Sequence, residues 1–267
     1  MKVCVQLLVA LLTVVLFAGY SPAGEEVKAP KQGKDYFNSG LLAMRHSHFD
    51  DAEKDFIEAL KFKPESITTR LLLADVYKYK KEDYKRIEQY QEVIKLAPSD
   101  QRAYGGLIDA YLEMGSVVNA IKAGEQAVKA GVPEDKVANS LGWMYYQNGD
   151  LTNAEAWLVK ARGYAKNDST PVNDLGLVYF AGGDYKKALG LFKEADRINP
   201  KGQTVSYFIA LTCQKLGDEQ GALDALKEGL KRDPKLKGKS VRYRRSFFPK
   251  SDPGDIGPLF DKIKAGK

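Results

Sequence analysis

Between Leu175 and Pro200 the chain reads LGLVYFAGGDYKKALGLFKEADRINP, and its apolar residues fall at helical spacing in two runs. Leu175 and Tyr179 lie one turn apart in the first run, and Ala188, Phe192 and Ala195 share one face of the second. Gly182, Gly183 and Asp184 separate them. A left-handed glycine ends one helix and an aspartate N-cap opens the next, so the stretch predicts a helix–turn–helix. Two short amphipathic helices joined this way cannot bury their apolar faces alone. They need neighbours of the same design.

Copies of the unit recur every 34 residues without an insertion. Units starting at Gly33, Ile67, Gln101, Asp135, Ser169 and Gln203 carry Gly40, Ala74, Ile108, Gly142, Gly176 and Ala210 at place 8. Place 11 holds Ala43, Tyr77, Tyr111, Tyr145, Tyr179 and Cys213, and place 20 holds Ala52, Arg86, Ala120, Ala154, Ala188 and Ala222. Small residues at places 8 and 20 let two antiparallel helices approach closely, while large ones at places 7, 11 and 24 fill the space around them. Pro64, Pro98, Pro200 and Pro234 follow the second helix of four units and forbid its continuation.

A 34-residue period with this pattern resembles the tetratricopeptide repeat family. The resemblance implies an all-α, right-handed superhelical solenoid of six helix-turn-helix repeats, at 33–66, 67–100, 101–134, 135–168, 169–202 and 203–236, with a C-terminal capping segment. It also implies a concave groove lined by the first helix of each repeat. Carried over place by place, unit one brings Lys34, Phe37 and Arg45 to that groove, unit two Asp75, Lys78 and Tyr79, unit three Arg102, Asp109 and Glu113, and units four to six Lys136, Asn139, Trp143, Tyr146, Gln147, Asn173, Phe180, Tyr207 and Gln214. Asn139 and Asn173 hold the same place in adjacent repeats, which suits paired hydrogen bonds to a peptide backbone. Trp143, Tyr146, Phe180 and Tyr207 suit apolar side chains of that peptide, since rigid aromatics dominate interface energy. Packing between repeats is the competing reading for the aromatics, above all Phe180 and Tyr146. Family members that clamp a chaperone's terminal carboxylate use lysine at place 5 and asparagine at place 9, and this chain has neither.

Two departures from the pattern carry expectations. Arg86 stands where a small residue belongs, which predicts splayed helices or an arginine snorkelling outwards. Gly105, Gly106 and Gly124 lie inside predicted helices of unit three, and at about 0.5–1 kcal/mol each they predict a soft place around residues 101–130.

Outside the repeats, residues 1–23 have one early lysine, an apolar run from Val3 to Ala18 and small residues ending in Ser21-Pro22-Ala23. This is the pattern of a cleaved secretory signal peptide, too short to span a bilayer comfortably. The expected location is therefore outside the cytoplasm, in a bacterial periplasm. Cys4 lies at the start of the apolar run, not at its end, and is not placed for lipidation; its removal leaves Cys213 alone, read as a small buried hydrophobe. Residues 24–32 read as a flexible lead.

Charge separates body from tail. From Lys235 to Lys267 there are ten basic and three acidic residues, while the repeat body is nearly neutral. Within this tail, 237–267, Ile256, Leu259, Phe260 and Ile263 have helical spacing and predict a short capping helix near 255–264, with Val241, Tyr243, Phe247 and Phe248 docking in extended form against unit six. Arg242, Arg244, Arg245 and Lys250 are the candidates for contact with an anionic surface, lipid or glycan. Export makes nucleic acid a poor partner. Folding of the aromatic VRYRRSFF segment back into the groove is a further alternative.

Chemistry has little foothold. His46 and His48, beside Asp50 and Asp51, are the only histidines, and one turn without further ligands is weak ground for a metal. There is no phosphate-binding glycine loop, no Cys-x-x-Cys and no nucleophile paired with a base. The sequence reading is therefore a scaffold or adaptor without cofactor or metal, binding an as yet unidentified protein or peptide in its groove. A surface-docking protein acting through its basic tail, or an accessory subunit of an envelope enzyme or secretion complex, are the rival readings.

Overall fold

A computed structural model describes residues 32–202, 204–239, 247–248 and 254–264. Six helical hairpins follow one another: α1 (Gly33–Arg45) with α2 (Phe49–Phe62), α3 (Ile67–Lys80) with α4 (Asp83–Leu96), and α5 (Gln101–Glu113) with α6 (Val117–Lys129). The second half pairs α7 (Glu134–Asn148) with α8 (Leu151–Tyr164), α9 (Ser169–Ala181) with α10 (Tyr185–Ile198), and α11 (Val205–Lys215) with α12 (Glu219–Arg232). A last helix, α13 (Gly257–Lys264), packs on α12. Each helix packs on its hairpin partner and on the next hairpin, giving the right-handed superhelix of the sequence reading.

The 34-residue period is written into the backbone. Each hairpin turns on one residue in the left-handed region: Ser47, Lys81, Gly115, Gly149, Gly183 and Gly217, at φ 59–84°. The next residue's N–H then reaches back to the carbonyl of place 11, as in Glu82 to Tyr77 at 2.9 Å and Asp184 to Tyr179 at 2.9 Å. This is the six-to-one bond that closes a helix C-terminus. Aspartate caps then start many of the helices; Asp150, Asp184 and Asp218 each accept from a backbone N–H three residues on.

Small and large residues pair as the pattern requires. A Cβ on Gly176 would stand 2.6 Å from the Phe192 ring, and one on Gly40 would stand 2.7 Å from the Phe56 ring. Unit three inverts the sizes, with Ile108 at place 8 and Gly124 at place 24, both buried. Leu141 of the following unit fills the space over Gly124, and Tyr90 of the preceding unit lies on Gly106. Two of the three glycines behind the expected soft place thus have a packing reason, and the central apolar cluster runs unbroken from Ala74 to Met144.

Arg86 is a correction. It does not snorkel outwards, being 1% exposed. Its guanidinium faces the Tyr90 ring and donates to Glu113 Oε2 at 2.7 Å, so an ion pair with the next repeat replaces the small residue.

Candidate functional site

Three first helices, α7, α9 and α11, make the concave wall of units four to six. Seven of the residues expected there divide into two groups. Trp143, Tyr146 and Phe180 form an aromatic surface beneath the tail, Trp143 half-buried and the other two buried, while Tyr207 is buried against the Phe208 ring at 5.7 Å. Asn139 and Asn173, one turn below, flank a carboxylate instead of facing open space. Gln147 is half-buried at the end of α7.

The aromatic surface is covered by the chain's own tail. Phe247 meets Trp143 at 6.0 Å and Phe208 at 5.1 Å between ring centroids, both edge-on. Phe248, itself buried, meets Phe180 at 5.1 Å and Phe208 at 6.0 Å. The Tyr146 hydroxyl donates to the Phe247 carbonyl at 2.6 Å, and burial pushes that phenol well above its ordinary range, so it remains a neutral donor. Edge-on ring pairs at these separations contribute about 0.5–1.5 kcal/mol each beyond burial. Phe247 has helical backbone, not the extended form expected, and the pair reaches past unit six to units four and five.

The rest of the tail behaves as a cap. Ile256, Leu259 and Phe260 are buried against the last repeat, and the Gln214 amide donates to the Asp255 carbonyl at 3.0 Å. Lys237 pairs with Asp261 at 2.5 Å, Lys239 with Asp233 at 2.7 Å, and Lys262 with Glu219. Part of the tail's positive charge is thus spent on the molecule itself. Arg242, Arg244, Arg245 and Lys250 lie outside the described residues.

Asp174 was not among the expected site residues. It sits in α9 at 7% exposure, with Asn139 Nδ2 donating to its Oδ2 at 3.4 Å and the Asn173 side chain also bonded to it. Burial pushes its carboxyl up to about 7, against the pull of the two amides. The Oδ1 atoms of Asn139 and Asn173 are buried without partners.

The open part of the concave side lies further towards the N-terminus. A cleft of about 670 Å³ is lined by Met44, Asp75, Lys78, Tyr79 and Glu113 among others, and one of about 300 Å³ by Leu71, Leu72, Asp75, Tyr90 and Arg102 with Thr68. Neither cleft lies where Trp143, Tyr146 and Phe180 meet the tail. At the first turn, His46 ends α1 and His48 precedes α2, with ring centroids 6.1 Å apart. Among the described residues no three His, Cys, Asp or Glu side chains converge as a metal site, and no helix is long and apolar enough to cross a membrane. Cys213 is buried, as expected of it.

Comparison with known proteins follows this geometry. Two sequence models of tetratricopeptide repeats match residues 67–100 and 87–136, and the model of subunit 3 of the anaphase-promoting complex, or cyclosome, matches residues 147–229. No curated protein matches the chain. Among solved structures, the C-terminal part of a tetratricopeptide repeat-containing protein from Cytophaga hutchinsonii is 20% identical, with a TM-score of 0.69 over 81% of this chain and 89% of that one. YrrB, described as a tetratricopeptide repeat protein with an unusual peptide-binding site, is 19% identical, with a TM-score of 0.57 over 71% and 97%. PilW, described as a widely conserved type IV pilus biogenesis factor, is 15% identical, with a TM-score of 0.57 over 88% and 100%. At these identities the likeness is one of fold. Period, turn geometry and sequence models agree that the chain carries tetratricopeptide repeats, matched by the sequence models over residues 67–136.

Proposed function

We propose that the chain is an exported interaction scaffold that binds a segment of a partner protein on the concave wall of units four to six. Tetratricopeptide repeats imply protein partners and a scaffold role. The observation that carries the choice of wall is the tail itself: polypeptide already sits there, held by edge-on rings and by a tyrosine hydroxyl on a backbone carbonyl. YrrB, by its description, offers a precedent for a peptide site on this fold.

Export to a bacterial envelope is supported by the composition of residues 1–23. Affinity capture from solubilised envelope tests both parts. The chain is compared as bait with a variant carrying Asn139→Ala, Trp143→Ala and Asn173→Ala. A partner lost with the variant supports the wall; a partner retained by it moves function to the open clefts of units two and three. Recovery of the protein from the cytoplasm with residues 1–23 intact contradicts export.

A further inference from the structure

The tail does more than cap. A cap has to cover the exposed face of unit six, and Leu236, Ile256, Leu259 and Phe260 already do so. Phe247 and Phe248 go further, to Trp143 and Tyr146 of α7 and Phe180 of α9, surfaces that unit five and unit six would leave open as part of the groove.

We propose that the wall selects partner segments with two adjacent aromatic side chains, and that Phe247 and Phe248 hold the site in cis until such a segment displaces them. The proposal rests on the reading of the wall as the binding surface. Phe208 lies between the two tail rings, 5.1 Å from Phe247 and 6.0 Å from Phe248, and with Trp143 and Phe180 it builds two neighbouring aromatic seats. The Tyr146 hydroxyl fixes the backbone between them by donating to the carbonyl of the first aromatic residue. A tethered segment presents itself at an effective concentration on the order of 1 mM, so if the tail segment's own Kd is about 0.1 mM or tighter a competitor loses at least about tenfold in apparent affinity.

The test uses a fluorescent peptide of residues 239–253 and the full chain. Binding is measured by anisotropy to the unaltered protein and to Phe247→Ala/Phe248→Ala. The expected result is binding at least about tenfold tighter to the variant, absent for a peptide with both phenylalanines replaced by alanine, and weakened when Tyr146→Phe is added. Equal binding to both proteins overturns the cis occupancy. A folded variant that binds no peptide overturns the proposal too, since the phenylalanines would then be a fixed part of the core. If the double variant does not fold, Phe247→Ala, whose ring is half-buried, is read by the same criteria. Peptides without aromatic pairs that bind the variant equally well, and lose binding on Trp143→Ala, overturn the selectivity while leaving the wall as the binding surface.

Discussion

Asp174→Asn should make the protein more stable at neutral pH and flatten its pH dependence. The carboxyl has a folded-state value of about 7 against an ordinary 3.8, with burial as the leading cause. Because the folded value is raised, the native state holds the proton that the unfolded chain has released between those limits. Stability from this group is complete below about 3.8 and is lost as pH rises through about 7. At about 1.36 kcal/mol per pH unit, the loss between pH 5 and pH 8 is about 2–3 kcal/mol. An asparagine stays neutral throughout, and its amide can donate to Asn139 Oδ1 or Asn173 Oδ1, the acceptors now unpaired. Urea denaturation followed by helical circular dichroism, for both proteins from pH 5 to pH 8, gives the difference directly. The variant's advantage should grow by about 2–3 kcal/mol across that range. Groups lowered by ion pairs or caps, such as Asp100 and Asp150, contribute equally to both proteins and cancel. A difference that does not change with pH, or a variant that loses ground as pH rises, refutes the account of this carboxyl.

Lys81→Gly relieves a non-glycine residue at φ 59° and should stabilise by about 1 kcal/mol, whereas Gly183→Ala, with open space around its Cβ, should cost about 1 kcal/mol from backbone strain alone; thermal melts decide both. Gly176→Ala pushes a methyl to 2.6 Å from the Phe192 ring and should cost about 1–3 kcal/mol, with Phe192→Leu in the same chain recovering part of it. Tyr146→Phe removes the hydrogen bond to the Phe247 carbonyl, costs about 1 kcal/mol, and should speed hydrogen exchange at Phe247 and Phe248 without affecting units one and two. Glu113→Gln removes the charge opposite buried Arg86 and should cost about 1 kcal/mol, discounted because Glu113 is half-exposed; denaturation at low and high salt measures it.

The repeat was legible because its rules are local. Gly182-Gly183-Asp184 announced a left-handed turn and a cap, and Gly183 at φ 83° with Asp184 accepting from Lys187 N–H is that turn. Arg86 was not legible in the same way. The rule for place 20 speaks of one hairpin, whereas the group that accommodates the guanidinium, Glu113, belongs to the next repeat. Asp174 left a fainter signal: it is the only charge in STPVNDLGLVYFA, on a helix whose flanking positions are buried nearly all round. The tail phenylalanines read as aromatics seeking cover, but which repeats they cover depends on how far the tail turns back, a long-range property that spacing does not encode. Place in the repeat puts Trp143, Tyr146 and Phe180 on first helices, and the structure brings Trp143 and Tyr146 within 5.4 Å, with Phe247 on Trp143 and Phe248 on Phe180.

Photo-cross-linking from position 143 tests the central claim most directly. A photoreactive phenylalanine analogue replaces Trp143 in the Phe247→Ala/Phe248→Ala chain, and a second chain carries it in place of Val159, exposed on α8. The account predicts adducts with a separate polypeptide from position 143 and none from position 159, with fewer adducts from position 143 when the tail phenylalanines are restored. Adducts from position 159 with none from position 143 would contradict it.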